Sequence, residues 1–242
     1  MTKHITVALV ALAVLMAGAL ATPARAQTVD DIVARYIEAK GGLEKWRSIE
    51  SQRMTASAAT NGVVLDMVIL GKRPNLVRQD ITVVIPGQGP IAITNIYDGA
   101  KAWTLNPMMG GGAFQEMPAA EAKNLKDQAD FDGPLLDREA RGTTVKLAGT
   151  EMVGDRRAYL LDVTPKDGTA AQYYVDAETG AELKIVDPAA GQSVELSDHR
   201  PVDGVLVPHH IRIAQNGVVQ VEIDVKTVEF NVPIDDSMFK AQ

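Results

Sequence analysis

The chain has 242 residues, a formal charge of −7 and no cysteine. The acidic balance argues against nucleic acid or anionic headgroups held by charge. The missing cysteine excludes disulfides, thiol catalysis and thiolate metal centres. Hydrophobic residues make up 46 % of the chain but aromatics only 5 %, so any core is aliphatic.

Lys3 and His4 open the chain, an apolar run follows from Ile5 to Leu20, and Ala24-Arg25-Ala26 closes it. That order predicts a secretory signal peptide over 1–26, cut between Ala26 and Gln27. Cleavage would leave 216 residues and, without Lys3 and Arg25, shift the charge from −7 to −9. The first mature residue would be Gln27, so no lipidated cysteine would anchor the product. No later apolar run reaches membrane-spanning length, so the mature chain is expected to be soluble. The expected organisation is one domain over 27–242.

Thr28 and Asp31 have capping-box spacing, and Val29, Ile32, Val33, Tyr36 and Ile37 recur at helical period. Gly41-Gly42 ends that helix, and Leu43, Trp46 and Ile49 mark a short second one. After Ser51 the period changes to two. Asn61-Gly62, Asp98-Gly99, Gly154-Asp155, Asp167-Gly168, Asp203-Gly204 and Asn216-Gly217 punctuate apolar runs as hairpin turns do. About a dozen strands are predicted, at 51–59, 63–71, 74–85, 90–98, 101–106, 143–151, 157–164, 169–176, 181–189, 192–200, 206–214 and 218–229. Short connections imply an antiparallel meander. Residues 107–142 interrupt it with a Gly/Met-rich loop, a helix at about 118–128 and the coil Asp130-Phe131-Asp132-Gly133-Pro134. The expected architecture is mainly β: one strongly curved sheet of about 11–12 strands, with a few helices over its concave side.

Catalytic constellations are thin. Asp198 should face His209 across a hairpin, but His209 and His210 are adjacent on a strand and point to opposite faces. A cross-strand surface pair fits better than a metal or acid–base site. There is no Gly-x-Ser-x-Gly elbow, and neither Gly87-Gln88-Gly89 nor Gly110-Gly111-Gly112 has a phosphate loop's ending. Asp235-Asp236 before Ser237 reads as a helix cap. No enzyme activity, cofactor or metal is expected. A curved sheet lined with Val, Ile, Leu and Met can enclose a lipid-binding cavity. The same side chains can instead pack on one another, and the pattern leaves both readings open.

Further residues carry a resemblance. They are Ile32-Val33-Ala34-Arg35-Tyr36-Ile37-Glu38-Ala39 with Gly41-Gly42, Leu43 and Lys45; Lys72-Arg73-Pro74-Asn75 with Arg78; and Tyr97-Asp98-Gly99 with Trp103 and Asn106-Pro107. Asp130 to Leu135, Tyr173 to Asp176 with Glu178-Thr179, Ser197-Asp198, Gly204 with Val207-Pro208-His209, and Asn231 to Ser237 with Phe239 continue it. In order and spacing this resembles the outer membrane lipoprotein-sorting proteins, within the superfamily of periplasmic lipoprotein carriers (LolA/LolB-like).

The resemblance implies an incomplete, half-open antiparallel β-barrel, helices as a lid, and an acyl-chain cavity between them. It implies that Arg78 holds the lid; the alternative is a surface arginine paired with Asp80 or Glu44. Alternation picks Leu65, Met67, Ile69, Ile93, Trp103, Leu105, Tyr159 and Leu161 as cavity lining. The implied function is a soluble periplasmic carrier that takes a lipid or lipoprotein from an inner-membrane exporter to an outer-membrane acceptor, touching membranes only transiently. A sensor that detects such cargo and signals to a membrane protein is the alternative. The narrowly defined lipoprotein carrier is shorter and lacks the 107–142 insert, which leaves the cargo open.

Overall fold

A computed structural model describes residues 27–241 apart from Asn61, Gly111 and Asp167. The expected signal peptide and the first residues of the Asn61-Gly62 and Asp167-Gly168 turns lie outside the described residues. The elements are α1 (Val29–Ala39), α2 (Leu43–Arg47), β1 (Ser51–Thr60), β2 (Val63–Lys72), β3 (Leu76–Val84), β4 (Ile91–Tyr97), β5 (Ala102–Leu105), β6 (Gln115–Glu116), α3 (Ala119–Ala129), β7 (Thr144–Val153), β8 (Arg156–Thr164), β9 (Ala171–Asp176), β10 (Glu182–Asp187), β11 (Gln192–Val202), β12 (Val205–Gln215) and β13 (Val218–Phe230). All thirteen strands join one antiparallel sheet, ordered β6-β5-β4-β3-β2-β1-β13-β12-β11-β10-β9-β8-β7. Twelve of these strands match the expected runs; the two-residue β6 carries no period to read.

Local chemistry explains the elements. The Thr28 hydroxyl accepts from the Asp31 amide at 3.1 Å, and Asp31 accepts from the Thr28 amide at 3.0 Å, completing the capping box of α1. Asp203-Gly204 and Asn216-Gly217 both hold positive φ at two successive residues, the twist that tight hairpins require. The chain builds β1 to β6 outward in one direction, then restarts at the far edge with β7 and winds back until β13 pairs with β1. The segment between β6 and β7 must therefore pass from one edge of the sheet to the other. It does so across one face, called inner below, and carries α3 and the coil 130–142 over it.

These caps cover only part of the inner face. One end of the sheet, the upper, carries the β2–β3, β4–β5, β9–β10 and β11–β12 turns. On the inner face α1 packs with Trp46, Ile49, Phe131, Leu135 and Leu136 on Leu161 and Val163 of β8, Val175 of β9, and Val205 and Val207 of β12. A Cβ on Gly180 would sit 2.3 Å from the Arg35 carbonyl, so only glycine lets the β9–β10 turn approach α1 so closely. Leu125 and Ala129 of α3 cover Val77, Tyr97, Ala102 and Ile69. On the outer face the C-terminal turn Asp236–Phe239 plants Phe239 against Leu70 and Ile96.

Candidate functional site

Below the caps the inner face continues without cover. Cross-strand pairs define it residue by residue. Met67 pairs with Ile81 and Ile81 with Ile93; Leu65 pairs with Val83 and Val83 with Ile91. On the other side of β1, Ile223 pairs with Ile211 and Ile211 with Leu196, while Val221, Ile213, Val194 and Ile185 form the next row. Directly paired residues point to the same side of a sheet, so these rows form one aliphatic trough. Except for the buried Val83, these side chains are half-exposed, and none belongs to a packed core cluster. From β4 to β10 the trough spans roughly 34 Å along the sheet, at about 4.8 Å per strand.

Leu65, Met67, Ile69 and Ile93 thus share this face, with Ile69 at the margin under α3. Tyr159 and Leu161 lie on the inner face too, but under α1, where Leu161 is 0 % exposed within the core. Trp103 and Leu105 are corrected: they point to the outer face. Trp103 lies in the row Leu70–Arg78–Ile96–Trp103 and packs on the Phe239 cluster, its Nε1 donating to Asp98 at 2.9 Å. Leu105 lies in the row Val68–Asp80–Thr94. Alternation put both on one face but did not say which; α3 packs on the other face of β5, which carries the small residues Ala102 and Thr104.

Arg78 is corrected as well. It lies on the outer face, where Nε donates to Asp80 at 2.8 Å and Nη1 to the Met238 carbonyl at 2.9 Å. The arginine that ties strand to caps is Arg73. It donates to both carboxylate oxygens of Asp132, at 3.0 and 2.8 Å, to the Ile49 carbonyl at 2.7 Å and to the Trp46 carbonyl at 3.3 Å. Its guanidinium also lies 5.2 Å from the centre of the Phe131 ring. The Arg73 hydrogen bonds hold the Asp132 carboxyl below its ordinary range against the upward push of desolvation. Trp46 Nε1 donates to the same carboxylate at 3.1 Å. Gly71 makes room for this lock, since a Cβ there would come within 3.1 Å of the Phe131 ring.

The described histidines do not converge on one centre. His209 donates to the Val207 carbonyl at 3.0 Å, His210 contacts Asp224 at 3.0 Å, and His199 donates to the Glu182 carbonyl at 3.0 Å. The pairs Ser197–His210 and His199–Pro208 do set Asp198 across from His209, yet Asp198 bonds Arg200 instead. Among the described residues no group of three or more His, Asp or Glu could hold a metal ion. Beneath α1, the Lys40 ammonium lies 4.2 Å from the Trp46 ring and 5.0 Å from that of Tyr36. Burial pushes its pKa down and that of nearby Glu182 up. Two hollows, about 510 and 380 Å³, lie at Thr144–Asp162–Gln172 and at Gln27–Arg35, away from the trough; the lining of the second is mainly polar.

No protein-family model and no curated protein matches the chain. Solved structures do match it in shape. A LolA superfamily protein from Nitrosomonas europaea superposes with a TM-score of 0.58 at 14 % identity, over 89 % of this chain and 98 % of that one. A DUF1329 family protein from Desulfovibrio piger gives 0.54 at 15 % identity, over 86 % and 97 %. The fold is LolA-like. In this LolA-like chain the barrel is open: β6 and β7 form the two edges and do not pair with each other.

The sequence reading missed Ile81, Ile91, Ile185, Val194, Leu196, Ile211, Ile213, Val221 and Ile223 as wall residues. Their signal was present. Val221, Ile223 and Val225 alternate cleanly with Glu222 and Asp224. What hid them was the order of the sheet, since β13 has to lie beside β1 before the two halves form one surface.

Proposed function

We propose that this protein is a periplasmic carrier, not an enzyme. It would bind the hydrocarbon chains of a lipid or lipoprotein in the trough and move them between the inner and outer membranes. One observation carries the reading: a continuous aliphatic face across eight adjacent strands, largely half-exposed and outside every packed core cluster. Burying about fifteen methylenes of one acyl chain at about 0.8 kcal/mol each is worth on the order of 12 kcal/mol. Leaving a membrane costs a similar amount, so an exporter and an acceptor would drive exchange in one direction. Residues 1–26 would be the removed signal peptide, and 27–242 one binding domain. The LolA-like fold supports this reading, as does the uncharged wall.

The test is mass spectrometry of lipid extracted from the purified mature protein, with binding of a fluorescent fatty acid. Lipid should co-purify and the probe should bind. Met67→Glu should lower probe affinity by at least about tenfold while the protein stays folded, because a carboxylate is costly in contact with hydrocarbon. An empty protein that binds no probe, or unchanged binding by Met67→Glu, would sink the proposal. A pull-down that recovered a signalling protein and no lipid would move the trough to sensing.

A further inference from the structure

The two ends of the sheet differ in chemistry. The upper turns carry Glu50, Lys72, Arg73, Asp98, Lys101, Asp176, Glu178 and Asp203. At the lower end the β3–β4, β1–β2, β12–β13 and β10–β11 turns stand side by side, because their strands are neighbours from β4 to β10. The Gln215 side chain donates to the Ala190 carbonyl at 2.5 Å and the Asn216 amide to the Gly191 carbonyl at 2.7 Å, joining two of them. The loop after β5, with its turn Pro107–Met109, packs against β4 at the same end.

In a chain of which 23 % of residues are charged, segments 54–65, 81–94, 102–115, 188–194 and 213–221 hold no charge at all. Asp187, at the edge of this region, is occupied in accepting the Ala190 amide at 2.9 Å. The next turn round, between β8 and β9, carries Lys166 and bounds the rim. Apolar side chains stand out from it: Met109 is 64 % exposed, Val218 63 %, Met108 61 %, Val219 47 %, Val64 41 % and Val84 39 %. Turns are ordinarily polar, and these sit where the bare trough reaches the edge of the protein.

We propose that this lower rim docks on the surface of a lipid bilayer, with Met108, Met109, Val218 and Val219 entering the headgroup region. The inference rests on the trough reading and adds the route by which hydrocarbon enters. Charge selects the occupant. A protein of net charge −7 is repelled by anionic headgroups wherever carboxylates lead. Only the uncharged end can approach, and it brings the open end of the trough to the acyl chains. Flexible methionines and small valines suit a surface of no fixed shape.

The experiment is co-sedimentation of the mature protein with protein-free vesicles of phosphatidylethanolamine and phosphatidylcholine, run beside the fluorescent fatty-acid assay. The protein should sediment with the vesicles, with little dependence on salt. The double variant Met109→Asp/Val218→Asp should lose vesicle binding by about tenfold or more and keep fatty-acid affinity within about twofold. Ala100→Asp, which adds the same charge at the upper end, should bind vesicles as the parent does. Val218→Trp should bind them more tightly, which tests the rim without a destabilising charge. Met67→Glu should still sediment while losing the fatty acid, so failure of the trough reading and failure of the rim are separable. A parent protein that ignores vesicles overturns the proposal and gives the rim to a protein partner. A folded double variant that sediments normally, or that loses fatty acid and vesicles in equal measure, overturns it too.

Discussion

Two regions of the inner face are built from the same aliphatic residue types, yet only one of them is a core. Leu161, Val175 and Val205 pack with α1 and the coil 130–142 in one core cluster; Met67, Ile81, Ile211 and Ile223 are half-exposed and belong to no core cluster. The cause is the path of the chain: the one connection that crosses from edge to edge covers only part of this face. Burying an aliphatic side chain is worth about 1.5–3 kcal/mol. A sheet that leaves a dozen of them half-exposed forgoes part of that stabilisation, which the proposed binding role would account for.

The sharpest way to break this contrast is truncation on either side of the boundary. Leu161→Ala and Leu136→Ala should each lower unfolding free energy by about 2–5 kcal/mol in urea melts, since both sites are closed and leave a cavity. Ile81→Ala and Ile223→Ala should cost under about 1 kcal/mol and instead weaken fatty-acid binding. Equal losses of stability in the two pairs would mean that the trough is an ordinary core.

The two arginines sharpen it next. Arg73→Ala removes a bidentate partner and leaves the Asp132 carboxylate with the Trp46 indole as its remaining side-chain donor, so about 2–3 kcal/mol should be lost. Arg78→Ala loses a more exposed pair on the outer face and should cost about 1 kcal/mol or less. Acid should separate them further. The folded pKa of Asp132 lies below its unfolded value of about 3.9. The stabilisation is therefore complete above that value and disappears as pH falls through the folded pKa. Asp132→Asn should be less stable than the parent at pH 6 and lose less of its stability between pH 5 and 3. Parallel curves would remove Asp132 from the lock.

Most of the architecture was legible because each strand announces itself locally: alternation gives the faces, and Asp-Gly and Asn-Gly give the turns. The helix boundaries followed from Thr28 and Gly41-Gly42. The site was legible only in part, because alternation says which residues share a face but not what covers it. Trp103 and Leu105 show the limit. Bulky residues mark an apolar face, and on β5 that face looks outward to Phe239 while Ala102 and Thr104 accommodate α3. Arg78 shows a second limit, since Arg73 and Arg78 fall on opposite sides of the sheet, and nothing near them in sequence says which side carries the caps.

The smallest expected effect compares the caps themselves. α1 has a complete capping box, buries Ile32, Val33, Tyr36 and Ala39, and is tied to the sheet side by Arg35, which donates to the Ala177 carbonyl at 2.7 Å, and to the coil by the Asp30–Arg138 pair. α3 has Pro118 as its N-cap with no side-chain cap; among its described residues it buries Leu125 and Ala129, and Gln79 donates to Gln128 at 2.6 Å. Local opening free energy follows buried apolar contact and tethering. In native-state hydrogen exchange the α3 amides should therefore exchange well before those of α1, and Gln128→Ala should widen the gap by about 0.5–1 kcal/mol. Thr28→Ala should narrow it by about 1 kcal/mol from the other side. If α3 proved as protected as α1, the boundary between closed and open halves would be rigid, and the trough could enlarge only by movement of the sheet.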